Sequence, residues 1–97
     1  MLEVLKSATY NDWFEGLRDR QARARIAVRV DRLGFGNPGD VKPVGAGVSE
    51  MRIDYGPGYR VYFAQRGNTT LLLLAGGDKR TQNADIKRAI QLLKSWR

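Results

Sequence analysis

Cysteine and histidine are both absent from this 97-residue chain, and each absence removes a class of chemistry. Without cysteine there is no disulfide framework, no thiolate zinc site and no cysteine nucleophile. Without histidine the commonest general base and metal ligand is missing, and Ser-His-Asp catalysis with it. Long apolar runs are lacking too: the longest, Leu71 to Ala75, falls far short of the ~20 residues that cross a membrane as a helix. The opening stretch MLEVLKSATYNDWF carries Glu3 and Asp12 and no apolar segment of the signal-peptide kind. Acidic residues are in deficit, ten against seventeen Lys and Arg, for a net charge of +7. That excess suits a nucleic acid, an acidic protein or an anionic surface. Two methionines and no basic amphipathic tail weigh against the membrane. The expectation is one cytoplasmic domain over residues 1–97 with a small core.

Hydropathy periods give the elements. Met1 to Leu5 alternates like a short edge strand. Tyr10, Trp13, Phe14 and Leu17 recur at i, i+3, i+4 and i+7, which predicts a helix over residues 10–20 with Thr9 or Asn11 as its cap. Ala22, Ile26, Val30 and Leu33 predict a second helix, ended by the glycines of Gly34–Gly39. Asp40 to Gly47 reads as a loop. From Val48 the period changes to two. Strands are expected at residues 48–54, 59–66 and 69–75, joined by the turn Asp54–Tyr59 and by a two-residue Gly67-Asn68 turn. Gly76-Gly77 ends the last strand, and a helix follows from Thr81 with Ile86, Ala89, Ile90 and Leu93 on one stripe. The order is β-α-α-β-β-β-α.

Register extends this reading. With Tyr55 facing Tyr59 and Arg66 facing Thr69, Arg52 opposes Tyr62, Asp54 opposes Arg60, Tyr62 opposes Leu73 and Arg60 opposes Ala75. Alternation then places Met51, Ile53, Val61, Phe63, Leu72 and Leu74 on a core face. Glu50, Arg52, Asp54, Arg60, Tyr62, Leu71 and Leu73 fall on the other. Lys79 lands near the Gly56-Pro57 turn, so Arg52, Arg60 and Lys79 converge. Three cations in one concavity call for an anion, and a phosphodiester fits the planar fork of arginine. RNA brings its own nucleophile, the 2′-OH. Its in-line attack needs a base, charge stabilisation and an acid for the departing 5′-oxygen. Arg60 and Arg52 suit stabilisation, Lys79 either proton transfer role, Glu50 the base, and Tyr62 proton donation or base stacking. The plainer alternative is that these are ordinary cross-strand pairs, that the arginines between Arg18 and Arg32 form a solvated helix face, and that Trp13, Phe14 and Trp96 are packing residues.

The chain resembles the RelE/ParE superfamily of type II toxin–antitoxin toxins, close to its HigB-like "addiction module killer protein" branch. The resemblance spans nearly the whole chain. It rests on W-F-E-G-L-R-D at Trp13–Asp19, R-A-R-I-A-x-R at Arg23–Arg29, the run from Gly39 to Phe63 that contains M-R-I-D-Y-G-P-G-Y-R-V-Y-F, and G-G-D-K-x-x-Q at Gly76–Gln82. It implies an α+β fold: a curved, mostly antiparallel sheet with a helical hairpin on one face, and a C-terminal helix. It also implies ribosome-dependent, metal-free mRNA cleavage and growth arrest, with no cofactor. The partners implied are mRNA, the ribosome and a small cognate antitoxin, a helix-turn-helix protein being one form it takes, and no membrane. Arg60 matches the family's phosphate-stabilising arginine. Arg52 and Lys79 fall where relatives place basic or polar residues. Lys42, Arg23, Arg25, Arg29, Arg66, Arg80 and Gln82 are the expected RNA and ribosome contacts. Relatives that carry a tyrosine or histidine early in the last helix use it as proton donor; Gln82-Asn-Ala-Asp85 here has neither, so Lys79 or Tyr62 must substitute. Gyrase-poisoning members lack the basic set, and a non-catalytic inhibitor of such a protein is the alternative. The antitoxin is expected over Leu71, Leu73 and Tyr62, with acidic residues on Arg52, Arg60 and Lys79; the basic helix 22–33 is the competing surface.

Overall fold

A computed structural model describes residues 1–96. Strand β1 (Glu3–Lys6) leads into helices α1 (Ala8–Glu15) and α2 (Arg20–Gly34). Strands β2 (Val41–Gly45), β3 (Val48–Ile53), β4 (Tyr59–Arg66) and β5 (Thr70–Asp78) follow, then a 3₁₀ turn (Lys79–Thr81) and helix α3 (Gln82–Ser95). One five-stranded sheet has the order β1-β5-β4-β3-β2. Only β1 runs parallel to its neighbour, β5. This is the expected α+β class, compatible with a RelE-like fold, with one strand more than expected.

Helix ends follow side-chain chemistry. Ser7, rather than Thr9 or Asn11, caps α1: its Oγ accepts from the Tyr10 amide at 2.9 Å and donates to the buried Leu74 carbonyl at 2.6 Å. That pins α1 to β5. Asp19 caps α2 through the Gln21 and Ala22 amides, so the second helix starts earlier than its apolar stripe. Its end is closed by Gly36 at φ +90°, with the Asn37 amide on the Arg32 carbonyl.

Three strand expectations are corrected. Residues 41–45, expected in a loop, form β2; Pro43 lies on the outer strand, where its missing N–H costs no ladder bond. The β3–β4 loop is longer than expected, so Arg52 opposes Arg60 and Glu50 opposes Tyr62. That slip is two residues and leaves every side chain on its expected face. At the other hairpin Arg66 opposes Thr70, a slip of one, which flips the β5 leucines. Leu71 and Leu73 therefore pack with Tyr10, Ile26, Val30, Met51, Val61 and Phe63 beneath α1 and α2. Leu72 and Leu74 pack with Val48, Tyr62, Ala75 and Ala89 beneath α3. A bulge at Tyr62/Phe63 sets Tyr62 opposite Ala75 and Arg60 opposite Gly77. The Gly76-Gly77 pair does not end β5. It admits the Trp13 ring against Gly76 and the Asp85 carboxyl against Gly77, closer than any Cβ permits.

Among the described residues no helix is long and apolar enough to cross a membrane.

Candidate functional site

Cross-strand partners point to the same side of a sheet, so register builds two polar rows on the α3 face. One runs Lys42, Glu50, Tyr62; the next runs Arg52, Arg60, Gly77. Asp40 extends the second row, its carbonyl accepting from the Arg52 amide at 2.9 Å.

Glu50 is wholly buried and organises the first row. Its Oε2 accepts from the Tyr62 hydroxyl at 3.2 Å and from Gln82 Nε2 at 2.7 Å. Its Oε1 faces Arg60 Nε at 3.7 Å, close enough for charge attraction but beyond hydrogen-bond reach. Neither of those two buried atoms has a hydrogen-bond partner among the described residues. Arg60 is held from above as well: Nη1 donates to the Gly58 carbonyl at 2.9 Å and the Tyr59 carbonyl at 3.4 Å. Its side chain is 13 % exposed, so the guanidinium sits in a fixed place just below the surface. Burial, reinforced by the Glu50 charge, pushes the Tyr62 hydroxyl far above its ordinary value and keeps its proton on.

The rim is looser. Arg52 directs Nε and Nη2 to Asp40 Oδ1, at 3.2 and 2.7 Å. That bond raises the guanidinium and holds the Asp40 carboxyl below the usual carboxylate range. Arg80, 80 % exposed, is paired in the same way with Asp78, the residue that caps the 3₁₀ turn. Lys79 is exposed beside them. At Gly58, φ +81°, an added Cβ would lie 3.3 Å from Arg60 Nη1 and 3.6 Å from Lys79 Cβ. Arg60, Gly58 and Lys79 thus share one neighbourhood.

The structure gathers Arg60, Glu50, Tyr62, Gln82, Arg52 and Lys79 around one spot, with Lys42 and Arg80 at its margins. Glu50 and Tyr62 expose no surface, so in this arrangement neither offers itself as a base, a proton donor or a stacking platform to a ligand outside. The remaining expected contacts are elsewhere. Arg23, Arg25 and Arg29 lie on α2, across the sheet. Arg25 stacks over the Tyr55 ring at 4.6 Å. Arg29 donates to the Arg52 and Pro38 carbonyls at 2.8 and 3.3 Å. Arg66, at the far end of β4, reaches the Trp96 carbonyl at 3.5 Å. Sequence reasoning missed Asp40, hidden in the segment read as a loop, and the Thr81–Asp85 hydrogen bond of 2.5 Å over Gly77. Asp78 was legible as a turn-capping residue just before the basic pair. Chemically, the spot is a small cationic shelf: one largely buried, hydrogen-bonded arginine, one arginine tied to a carboxylate, and one exposed lysine.

Comparison with known proteins adds two findings. Residues 12–94 match the family described as phage-derived protein Gp49-like (DUF891). An uncharacterized protein of Haemophilus influenzae is 44 % identical over 88 residues, covering 91 % of this chain and 89 % of that protein.

Proposed function

This chain belongs to the Gp49-like family of phage-derived proteins, a family associated with toxin–antitoxin toxins, and from that premise we propose that it is a toxin that cleaves mRNA on the ribosome. The observation that carries the reading is the fixed Arg60 guanidinium, seated over buried Glu50 and beside Lys79.

In the proposed step the RNA 2′-oxygen attacks the adjacent phosphorus in line. The O2′–P bond forms and the P–O5′ bond breaks. The 2′-proton leaves to a base, and the 5′-oxygen takes a proton from an acid. Negative charge grows on the non-bridging oxygens, and Arg60, held before the substrate arrives, meets it without reorganisation. Its Nη2 has no hydrogen-bond partner among the described residues and is the donor offered to the phosphate. Lys79, the exposed lysine beside Arg60, is the acid that gives its proton to the departing 5′-oxygen, and solvent water takes the 2′-proton. Arg52 reaches the phosphate by exchanging Asp40 for it. Glu50, with Tyr62 and Gln82 on its other oxygen, acts as a positioning residue beneath Arg60. Lys42 and Arg80 contact neighbouring phosphates. The cognate antitoxin is the protein partner.

Primer extension on cellular mRNA after brief induction tests the reading. Cuts confined to translated frames are expected. Intact mRNA during growth arrest overturns it, and DNA breaks in their place point to a gyrase-type target.

A further inference from the structure

The face expected to be greasy is covered. Leu71 and Leu73 are buried under α1 and α2, and Tyr62 under α3, so none of the three is on the surface beside Arg60. The exposed large apolar side chains are Met1, Leu5, Val28 and Phe35. Two of these belong to α2 and its end, and their placement is unusual.

α2 buries Ala22, Ile26, Val30 and Leu33. The ridge opposite that stripe should be polar on a surface helix. Here it carries Ala24, Val28 and, at the residue that caps the helix end, Phe35, in steps of four and seven. Val28 is 47 % and Phe35 67 % exposed. Arg25 and Arg32 flank this ridge on one side, over a groove of about 440 Å³ floored by Ile53. α2 is therefore amphipathic twice, with an inner apolar stripe for the sheet and an outer one bordered by arginines.

We propose that this outer ridge is the docking surface for an acidic amphipathic segment of the cognate antitoxin. Apolar side chains of that segment cover Val28 and Phe35, and its carboxylates pair with Arg25 and Arg32. The chain's net charge of +7 favours an acidic partner. An RNA backbone fits less well. A sugar–phosphate chain carries no aliphatic side chain to cover Val28, which is 47 % exposed and lines the groove with Ile53. The surface lies across the sheet from Arg60, so a segment docked here leaves the cationic shelf uncovered. The inference rests on the family's toxin–antitoxin association and not on the cleavage chemistry.

The test is calorimetric titration of the purified full chain with its purified antitoxin. Val28→Glu combined with Phe35→Ser should weaken binding at least tenfold. Arg32→Glu should weaken it and flatten its salt dependence, while Lys79→Gln binds as the wild type does. All these positions are exposed, and thermal unfolding of each variant confirms the fold. Wild-type affinity in the folded Val28→Glu/Phe35→Ser variant overturns the proposal. So does a loss of affinity confined to Lys79→Gln, which would place the antitoxin on the shelf. Retained antitoxin binding with loss of RNA crosslinking in Arg32→Glu also overturns it, in favour of a nucleic-acid surface.

Discussion

Arg60 shows what a single residue owes to others far away in the chain. Its cation faces Glu50, ten positions earlier, and Glu50 is in turn held by Gln82, 32 positions later. The arginine itself was legible, because strand alternation put it on the polar face. The depth of Glu50 was not, because nothing in local periodicity says that α3 will close over a carboxylate. Gly76 is a second residue-scale case. Read as a strand end, it is instead the place where the Trp13 ring lies on the β5 backbone. Gly76→Ala should destabilise the protein by about 1–3 kcal/mol, the usual cost of overpacking, read as a lower denaturant midpoint. An unchanged midpoint would mean that the ring moves aside freely.

At the scale of elements, parity decided what could be read. The β3–β4 hairpin slipped by two residues from expectation, and Met51, Ile53, Val61 and Phe63 stayed on the core face. The β4–β5 hairpin slipped by one, and Leu71 to Leu74 exchanged faces. An all-leucine run carries no alternation to reveal such a slip. β2 was missed because proline and three nearby glycines look like a loop, although an edge strand tolerates them. The helices were clearer: α2 and α3 bury the stripes their 3.6-residue period marks, with Ile86, Ala89, Ile90 and Leu93 on α3. But α1 stops at Glu15 rather than running to residue 20, so Leu17 packs from beyond its end.

For the molecule as a whole, one sheet separates two apolar clusters, α1 and α2 serving one and α3 the other. Cations dominate its surface, and several are tied to carboxylates that the fold keeps ionised. Asp40 is held low by Arg52, Asp78 by Arg80, and Asp19 by the α2 amides and Tyr55. A folded-state value below the unfolded one means that the charged form favours the fold. This contribution is present above about pH 4 and is lost as pH falls through the lower folded values. The thermal midpoint should therefore be flat from neutral to about pH 5 and fall below that. Asp40→Asn should start lower at neutral pH and lose less on acidification. An acid slope as steep as the wild type's would remove Asp40 from that account.

The central claim is that a preset Arg60 stabilises a reacting phosphate. Removing it outright strands Glu50, a buried acid left without its facing cation, so Arg60→Lys is measured beside Arg60→Ala. Lysine keeps the charge but loses the planar fork. The direct measurement is the single-turnover rate of cleavage of ribosome-bound mRNA, with the thermal midpoint of each variant recorded alongside. The account predicts that folded Arg60→Ala loses about 10²–10³ in rate and that Arg60→Lys, folded as the wild type is, recovers only part of it. A folded Arg60 variant that cleaves at the wild-type rate would contradict it.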